Sequence, residues 1–339
     1  MPPTPSDGTS DTRTAAKRRA PRNRSLDVPE QEVAALRQRL LTVDDVSTAS
    51  PLNRTILGDC FDAFEILPKA TVDLLILDPP YNLTKKFGDS TFSRMPVEDY
   101  TGWLRRLFGC AMPLLKPTAT VYVCGDWLTS ASIFKAASEH FIVRNRITWE
   151  REKGRGALAN WKNVSEDIWF CTVSDRFTFN VNAVKLRRQV IAPYRDAAGQ
   201  PKDWQETDAG NLRDTYPSNL WTDITVPFWS MPENTDHPAQ KSEKLIARLV
   251  LASSNTGDVV FDPFLGSGTT SVVAKKLGRR YCGIERDERY ALLAEKRLLL
   301  ADSNRAFQGY RDRVFWERNT LKAVNSGPHR VQLIPRSAR

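Results

Sequence analysis

Residues 259–270 read Val-Val-Phe-Asp-Pro-Phe-Leu-Gly-Ser-Gly-Thr-Thr, and the fold is decided here. Val259, Val260 and Phe261 predict a buried strand ending at Asp262. Gly266 and Gly268 give the following loop backbone freedom that a Cβ would deny. From Thr269 to Leu277 apolar side chains return at helical spacing. A second strand, Tyr281–Glu285, and a helix at 289–300 complete the pattern of a parallel βαβ unit. A helix start offers N–H groups to an anionic ligand group. Glu285 closes the second strand about 20 residues beyond the glycines, where such units accept ribose hydroxyl hydrogens. A dinucleotide site would want a third glycine at position 271, which is Ser271, so NAD is disfavoured. An adenosine ligand with a carboxylate in place of a pyrophosphate fits better, and S-adenosylmethionine is such a ligand. Asp262, Pro263, Phe264, Gly266, Ser267, Gly268, Thr269, Thr270 and Glu285 are the candidate cofactor residues.

Working outward, a helix predicted at 242–253 feeds this strand and is preceded by His237-Pro-Ala-Gln240-Lys241. That placement puts His237, Gln240 and Lys241 near the amino-acid end of the cofactor. Further upstream, strands at 54–57, 72–77, 118–124, 143–149 and 166–173 are interspersed with helices at 61–67, 100–115 and 127–138, after a short helix at 29–41. The alternation predicts a doubly wound, mostly parallel α/β sheet. Residues 180–236 interrupt it. They interleave aromatic residues with Lys185, Arg187, Arg188, Arg195 and Arg213, a pattern that suits phosphate and base contacts. A small aromatic core in an irregular subdomain would produce the same composition.

The stretch Val72-Asp-Leu-Leu-Ile-Leu-Asp78-Pro79-Pro80-Tyr81 ends an apolar strand with a carboxylate at its carboxyl edge, where open α/β sheets bind ligands. The two prolines fix the backbone and remove two N–H donors, leaving carbonyl acceptors. Acceptors beside the flat face of Tyr81 suit an exocyclic amino group on a planar base. A rigid turn after a strand is the plainer reading of the tetrapeptide alone. Asp59 and Cys60, after the 54–57 strand, are candidates for the cofactor's adenine, and Asp59 is equally suited to cap a helix.

The chain has 339 residues and a formal charge of +9. Residues 1–25 hold six Lys or Arg against two Asp, and residues 303–339 hold eight against two acids. The surplus therefore sits in the tails, as expected for a polyanionic partner or for solvated termini. Five scattered cysteines with no CxxC pair argue against a disulfide framework or a zinc site, so no metal is expected and a reducing cytoplasm fits. No apolar run reaches the roughly 18 residues of a membrane span, and the polar N-terminus does not resemble a signal peptide.

Taken together, Asp78-Pro-Pro-Tyr81, His237-Pro-x-Gln240-Lys241 and Asp262-Pro-Phe-x-Gly266-x-Gly268 resemble, in that order, the motifs of the amino-group DNA methyltransferases of restriction–modification systems in their β arrangement. The resemblance implies a Rossmann-like methyltransferase sheet, circularly permuted, with an inserted target-recognition region. It implies Asp78, Pro79, Pro80 and Tyr81 as catalytic residues, S-adenosylmethionine as cofactor, and direct transfer to a flipped base in double-stranded DNA. It also suggests a cognate restriction endonuclease and leaves room for a homodimer. Asp at the first tetrapeptide position favours adenine N6 over cytosine N4. Carbon-5 methylation needs a nucleophilic cysteine, which in the family of such enzymes lies in a Pro-Cys pair, and the chain has no such pair. Protein-glutamine and RNA amino methyltransferases usually place the cofactor loop first, and a catalytically decayed DNA-binding relative would not be expected to keep these motifs. The implied organisation is a disordered basic arm at 1–27, a helix and linker at 28–50, the catalytic half at 51–179, target recognition at 180–236, the cofactor half at 237–302 and a basic extension at 303–339.

Overall fold

A computed structural model describes residues 21–87, 90–151, 158–191, 194–207 and 210–318. Most of the expected N-terminal arm, and the C-terminal extension past 318, lie outside the described residues. The chain opens with α1 (Glu30–Arg37), β1 (Leu41–Thr42), β2 (Arg54–Leu57), α2 (Cys60–Ile66) and β3 (Val72–Leu77). A hairpin of β4 (Lys85–Phe87) and β5 (Ser90–Phe92) follows, then α3 (Val97–Ala111), β6 (Leu115–Gly125), α4 (Ser130–His140), β7 (Ile142–Glu150) and β8 (Ser165–Thr172). Next come β9 (Leu186–Gln189), β10 (Gln205–Thr207), β11 (Gly210–Thr215) and β12 (Leu220–Trp221). The chain then forms α5 (Glu243–Ser253), β13 (Val259–Asp262), α6 (Thr269–Lys276), β14 (Arg280–Glu285), α7 (Glu288–Ser303), β15 (Tyr310–Arg311) and β16 (Val314–Trp316).

Among the described residues, nine strands form the main sheet in the order β1-β2-β14-β13-β3-β6-β8-β7-β12. Only β8 runs against the rest, paired antiparallel with both β6 and β7. The sheet is buried on both faces, which is why its strands read as continuous apolar runs. Along β3, Leu75 and Leu77 join Phe64, Leu104 and Ile133 on one side. Leu74 and Ile76 join Leu249, Val273 and Leu298 on the other, following the two-residue alternation of a strand. Among the described residues, no helix is long and apolar enough to cross a membrane.

The order of the strands matters more than their number. The two strands that end in the sequence motifs, β3 and β13, are direct parallel neighbours, with Val260 opposite Leu74 and Phe261 opposite Leu75. Segments some 180 residues apart in the chain thus leave the sheet side by side at its carboxyl edge.

Three expectations need correction. Pro117 was expected between helix and strand, yet it lies inside β6. The register with β3 slips between Val72, opposite Leu115, and Leu74, opposite Thr120, and such a bulge accommodates a residue with no N–H to offer the ladder. The region at 180–236 is not wholly irregular, and the segment from 303 is not wholly a solvated extension. Strands β10-β11-β9-β16-β15 form a second sheet, with β16 parallel to β9 through Phe315 and Leu186. Its strands are too short to announce themselves in a basic segment.

Phe315 and Trp316 are fully buried. The Arg248 guanidinium lies 4.9 Å from the rings of both Trp221 and Phe315 and forks onto Asp223 at 3.1 and 2.9 Å. Lys244 donates to the Trp316 carbonyl at 2.8 Å. Despite its burial, the Asp223 carboxyl is held at about 2 by Arg248 and Lys244. The C-terminal strand is therefore part of the core. Trp316→Phe should lower stability by about 1–2 kcal/mol through lost packing, measured as a drop in melting temperature. An unchanged melting temperature would show the strand to be dispensable.

Candidate active site

The carboxyl ends of β2, β3, β13 and β14 surround a cavity of about 420 Å³. It is lined by Asp59 and Cys60 after β2, Asp78 to Tyr81 after β3, Pro263, Phe264 and Gly266 after β13, and Glu285 at the end of β14. Glu166 of β8, and His237, Gln240 and Lys241 ahead of α5, complete the wall.

The glycine loop is held by carboxylates. Asp262 accepts from the Phe264 N–H at 2.9 Å and from the Thr270 hydroxyl at 2.6 Å. Glu285 accepts from the Gly266 N–H at 2.7 Å and the Asp287 N–H at 2.8 Å. Burial pushes both carboxyls up to about 7. Gly266 has φ +55°, and a Cβ there would come within 2.9 Å of the His237 ring. Gly268 does not face the cavity. It caps α6 with φ +86°, and a Cβ there would strike Ala294 of α7 at 2.6 Å. Ser267, Thr269 and Thr270 line a small adjoining cavity. Arg297, which sequence reasoning missed, joins them to α7. Its guanidinium donates to the Ser267 carbonyl at 2.9 Å, the Thr269 hydroxyl at 2.9 Å and Glu243 at 3.0 Å. Nothing in the periodicity of α7 marks this arginine as buried.

On the opposite wall, Asp59 caps α2 by accepting from the Phe61 N–H at 2.9 Å while still lining the cavity. Burial raises the Cys60 thiol to about 12. Burial and the nearby Lys241 hold His237 down to about 3, so its ring is neutral as it packs edge-on against Tyr290, 4.4 Å between centroids. Gln240 is spent on its own loop, accepting from the Thr235 N–H and hydroxyl and donating to the Glu233 carbonyl.

The tetrapeptide is fixed from behind. The Tyr100 hydroxyl donates to the Pro80 carbonyl at 2.9 Å, and Asn82 exchanges two hydrogen bonds of 2.8 Å with the backbone of Met95. The Tyr81 hydroxyl donates to Asp78 at 3.1 Å. Burial, with Asp78 and Glu166 adding to it, raises Tyr81 well above its ordinary value, so it stays a phenol.

Lys241 lines the cavity as well. Its ammonium reaches Asp78 at 2.6 Å and the Tyr81 oxygen at 3.2 Å. Burial lowers this ammonium's pKa, yet the Asp78 and Glu166 carboxylates more than offset that and hold it above its usual range.

The five basic residues expected to contact DNA do not line the cavity. They lie on or beside the second sheet, and each has a partner within the chain. Arg187 is largely buried, bidentate to Asp214 at 2.6 and 2.8 Å. Arg213 pairs with Asp203 at 2.5 Å, Arg188 with Glu317 at 3.6 Å and Arg195 with Glu206 at 3.8 Å. Lys185 sits 4.8 Å from the Tyr216 ring centroid.

Comparison with known proteins agrees with this geometry. A family model described as DNA methylase, for the N6/N4 class, matches residues 72–296. The type II methyltransferase M.HpaI of Haemophilus parainfluenzae is 31% identical over 72% of this chain and 74% of its own length. The DNA adenine methyltransferase YhdJ of Escherichia coli (strain K12) is 30% identical over 73% of this chain and 83% of its own. Among solved structures, the cytosine-N4-specific PvuII DNA methyltransferase shares the fold, with a TM-score of 0.53 at 16% identity, covering 74% of this chain and 92% of that one. Over residues 72–296, the chain belongs to the N6/N4 DNA methylase family.

Proposed function

We propose that the protein transfers the methyl group of S-adenosylmethionine to the exocyclic N6 of adenine in double-stranded DNA. The observation that carries this reading is the adjacency of β3 and β13, which opens the Asp78 tetrapeptide and the glycine loop into one cavity. The donor set fits the cofactor. Glu285 offers a carboxyl for a ribose diol, Asp59 an acceptor for an adenine amino group, and Phe61, Trp103 and Phe264 an apolar wall. At Gly266 any side chain would crowd His237.

S-adenosylmethionine, when bound, supplies a methyl group on a sulfonium sulfur that departs as a neutral thioether when the amino nitrogen takes the methyl, so no residue need carry it covalently. The chain's task is to aim the nitrogen. An exocyclic amino nitrogen is a poor nucleophile because its lone pair is delocalised into the ring. Hydrogen bonds from its two N–H groups to Asp78 and the Pro79 carbonyl favour a more tetrahedral nitrogen, with the lone pair directed at the methyl. Asp78 is then the nearest base for the proton that the methylated nitrogen sheds. Positioning and electrostatics account for the acceleration. The base must leave its stack at a cost of a few kcal/mol, and the Tyr81 ring offsets about 1–3 kcal/mol of it.

Beside the cavity, Leu158 and Trp161 stand almost fully exposed two to five residues from the lining residue Asn163. We read this rim as the duplex-facing side, and the second sheet as the target-recognition region. Lys185, Arg188, Arg195 and Arg213 are its candidate DNA contacts, whereas Arg187 is committed to Asp214. The likeness to a type II methyltransferase extends the proposal to a cognate restriction endonuclease. Adenine is favoured by Asp78 at the first tetrapeptide position and by the relative named as an adenine methyltransferase.

Cytosine N4 presents the same amino chemistry, so the test must separate them. DNA is incubated with the protein and methyl-labelled S-adenosylmethionine, digested to nucleosides and resolved by mass spectrometry. Labelled N6-methyladenine is expected. Labelled N4-methylcytosine would move the target base, and no labelled nucleoside would refute the reading.

A further inference from the structure

Both oxygens of the Asp78 carboxylate are engaged within the chain itself. Oδ2 accepts from Lys241 Nζ at 2.6 Å and Oδ1 from the Tyr81 hydroxyl at 3.1 Å. Behind them stands Glu166, buried in β8. Its Oε2 lies 3.3 Å from the Tyr81 hydroxyl and 3.5 Å from Lys241 Nζ. Its Oε1 is anchored by the Arg151 guanidinium at 2.6 Å. Two carboxylates thus share one ammonium and one phenol proton, and the second carboxylate holds the longer, weaker contact with each.

We propose that Glu166 is a positioning residue for methyl transfer, the alternative partner that takes up Lys241 and the Tyr81 hydroxyl when a target amino group claims Asp78. The inference rests on the reading of Asp78 as acceptor for that amino group. A carboxylate has about four acceptor sites, so an amino hydrogen can find one. An ammonium at 2.6 Å, however, draws on the same charge that must polarise the nitrogen. Bringing Lys241 to an ordinary charge-assisted distance from Glu166, about 2.7–2.9 Å, requires a shift of less than about 1 Å. The cation stays paired throughout, which a buried ammonium requires. The phenol proton has the same choice, turning from Oδ1 of Asp78 to Oε2 of Glu166. Arg151, half-exposed at the cavity wall, keeps Glu166 in place as its partners move.

The test is the single-turnover methylation rate with DNA and S-adenosylmethionine both saturating. Glu166→Gln keeps the size of the side chain and removes its charge, so Lys241 remains locked on Asp78. The rate should fall at least about tenfold, with the cofactor dissociation constant within about twofold of wild type by calorimetry. Glu166→Asp restores the charge and should recover part of the rate. In a Lys241→Met background Glu166→Gln should cost little more, because there is no ammonium left to hand over. A Glu166→Gln protein that transfers at the wild-type rate overturns the proposal. So does one whose rate, cofactor affinity and melting temperature fall together, with losses that simply add in the Lys241→Met background, since Glu166 would then be a packing residue. Asp78→Ala, run alongside, separates the two readings. If Asp78→Ala is inert and Glu166→Gln is unimpaired, only the role of Glu166 fails; if Asp78→Ala is active, the acceptor reading fails with it.

Discussion

Asp78→Ala lowers the single-turnover rate of DNA methylation by about 10²–10³-fold, the usual cost of deleting one preorganised polar group aimed at a reacting atom. The loss should fall on transfer and spare cofactor binding, because the bonds that hold the glycine loop do not depend on the Asp78 carboxylate. Asp262, Thr270, Glu285 and Gly266 bond among themselves and with the backbone of their own loop, and none of those bonds passes through Asp78. Nor should the fold give way. Lys241 loses its shortest partner but keeps Glu166 at 3.5 Å, so its buried charge is not stranded. Asp78→Asn is the informative companion. It preserves the volume and one oxygen acceptor but removes the negative charge, and its rate should lie between wild type and Asp78→Ala. Rapid-quench kinetics with labelled cofactor, paired with calorimetry, check both halves. Full activity in Asp78→Ala would remove this residue from the reaction. A cofactor dissociation constant that rises in step with the lost rate would place Asp78 on the cofactor wall instead.

What the sequence made legible was local. The 259–270 strand, loop and helix could be read because hydrophobic spacing and paired glycines leave a signature within a dozen residues. Asp78 could be placed because an apolar run ends there. The missing pieces are tertiary. Glu166 reads as an ordinary polar residue in a strand, and only the pairing of β8 with β6 brings it behind Tyr81. Arg297 reads as one more charge on a helix, yet it is buried against the glycine loop. The reach of Lys241 is hidden in the sequence for the same reason. Its backbone lies where the motif order implies, but its long side chain crosses to a carboxylate 163 positions away in the chain. The second sheet was illegible because its longest strand has six residues and its last two strands sit in a segment whose composition suggests a solvated extension. Charge led to a tail, whereas burial of Phe315 and Trp316 makes part of it core.

Gly266 and Gly268 look equivalent in the sequence, and the structure predicts that substituting them fails in different ways. Gly268→Val places a side chain on a residue with φ +86°, where left-handed backbone costs an L-residue about 1–2 kcal/mol. Its Cβ also meets the Cβ of Ala294 at 2.6 Å and the Cα at 2.8 Å. A helix backbone cannot swing aside as a flexible side chain can, so overpacking adds about 1–3 kcal/mol. The sum, about 2–5 kcal/mol, corresponds to a melting temperature lowered by about 3–7 °C for a chain of this size. Cofactor affinity falls as a consequence, because α6 and the loop before it move with α7. Gly266→Ala differs. Beyond the backbone cost of its own positive φ, its Cβ would press on the His237 ring, at 2.9 Å, and that ring lines the cavity. A displaced imidazole intrudes on the ligand, so affinity for S-adenosylmethionine should fall by about tenfold or more with a smaller change in melting temperature. Calorimetry and thermal unfolding on both variants resolve the two effects. If Gly268→Val unfolds at the wild-type temperature, the close approach of the loop to α7 is not what demands a glycine there. If Gly266→Ala binds the cofactor normally, the glycine loop does not form the wall assigned to it.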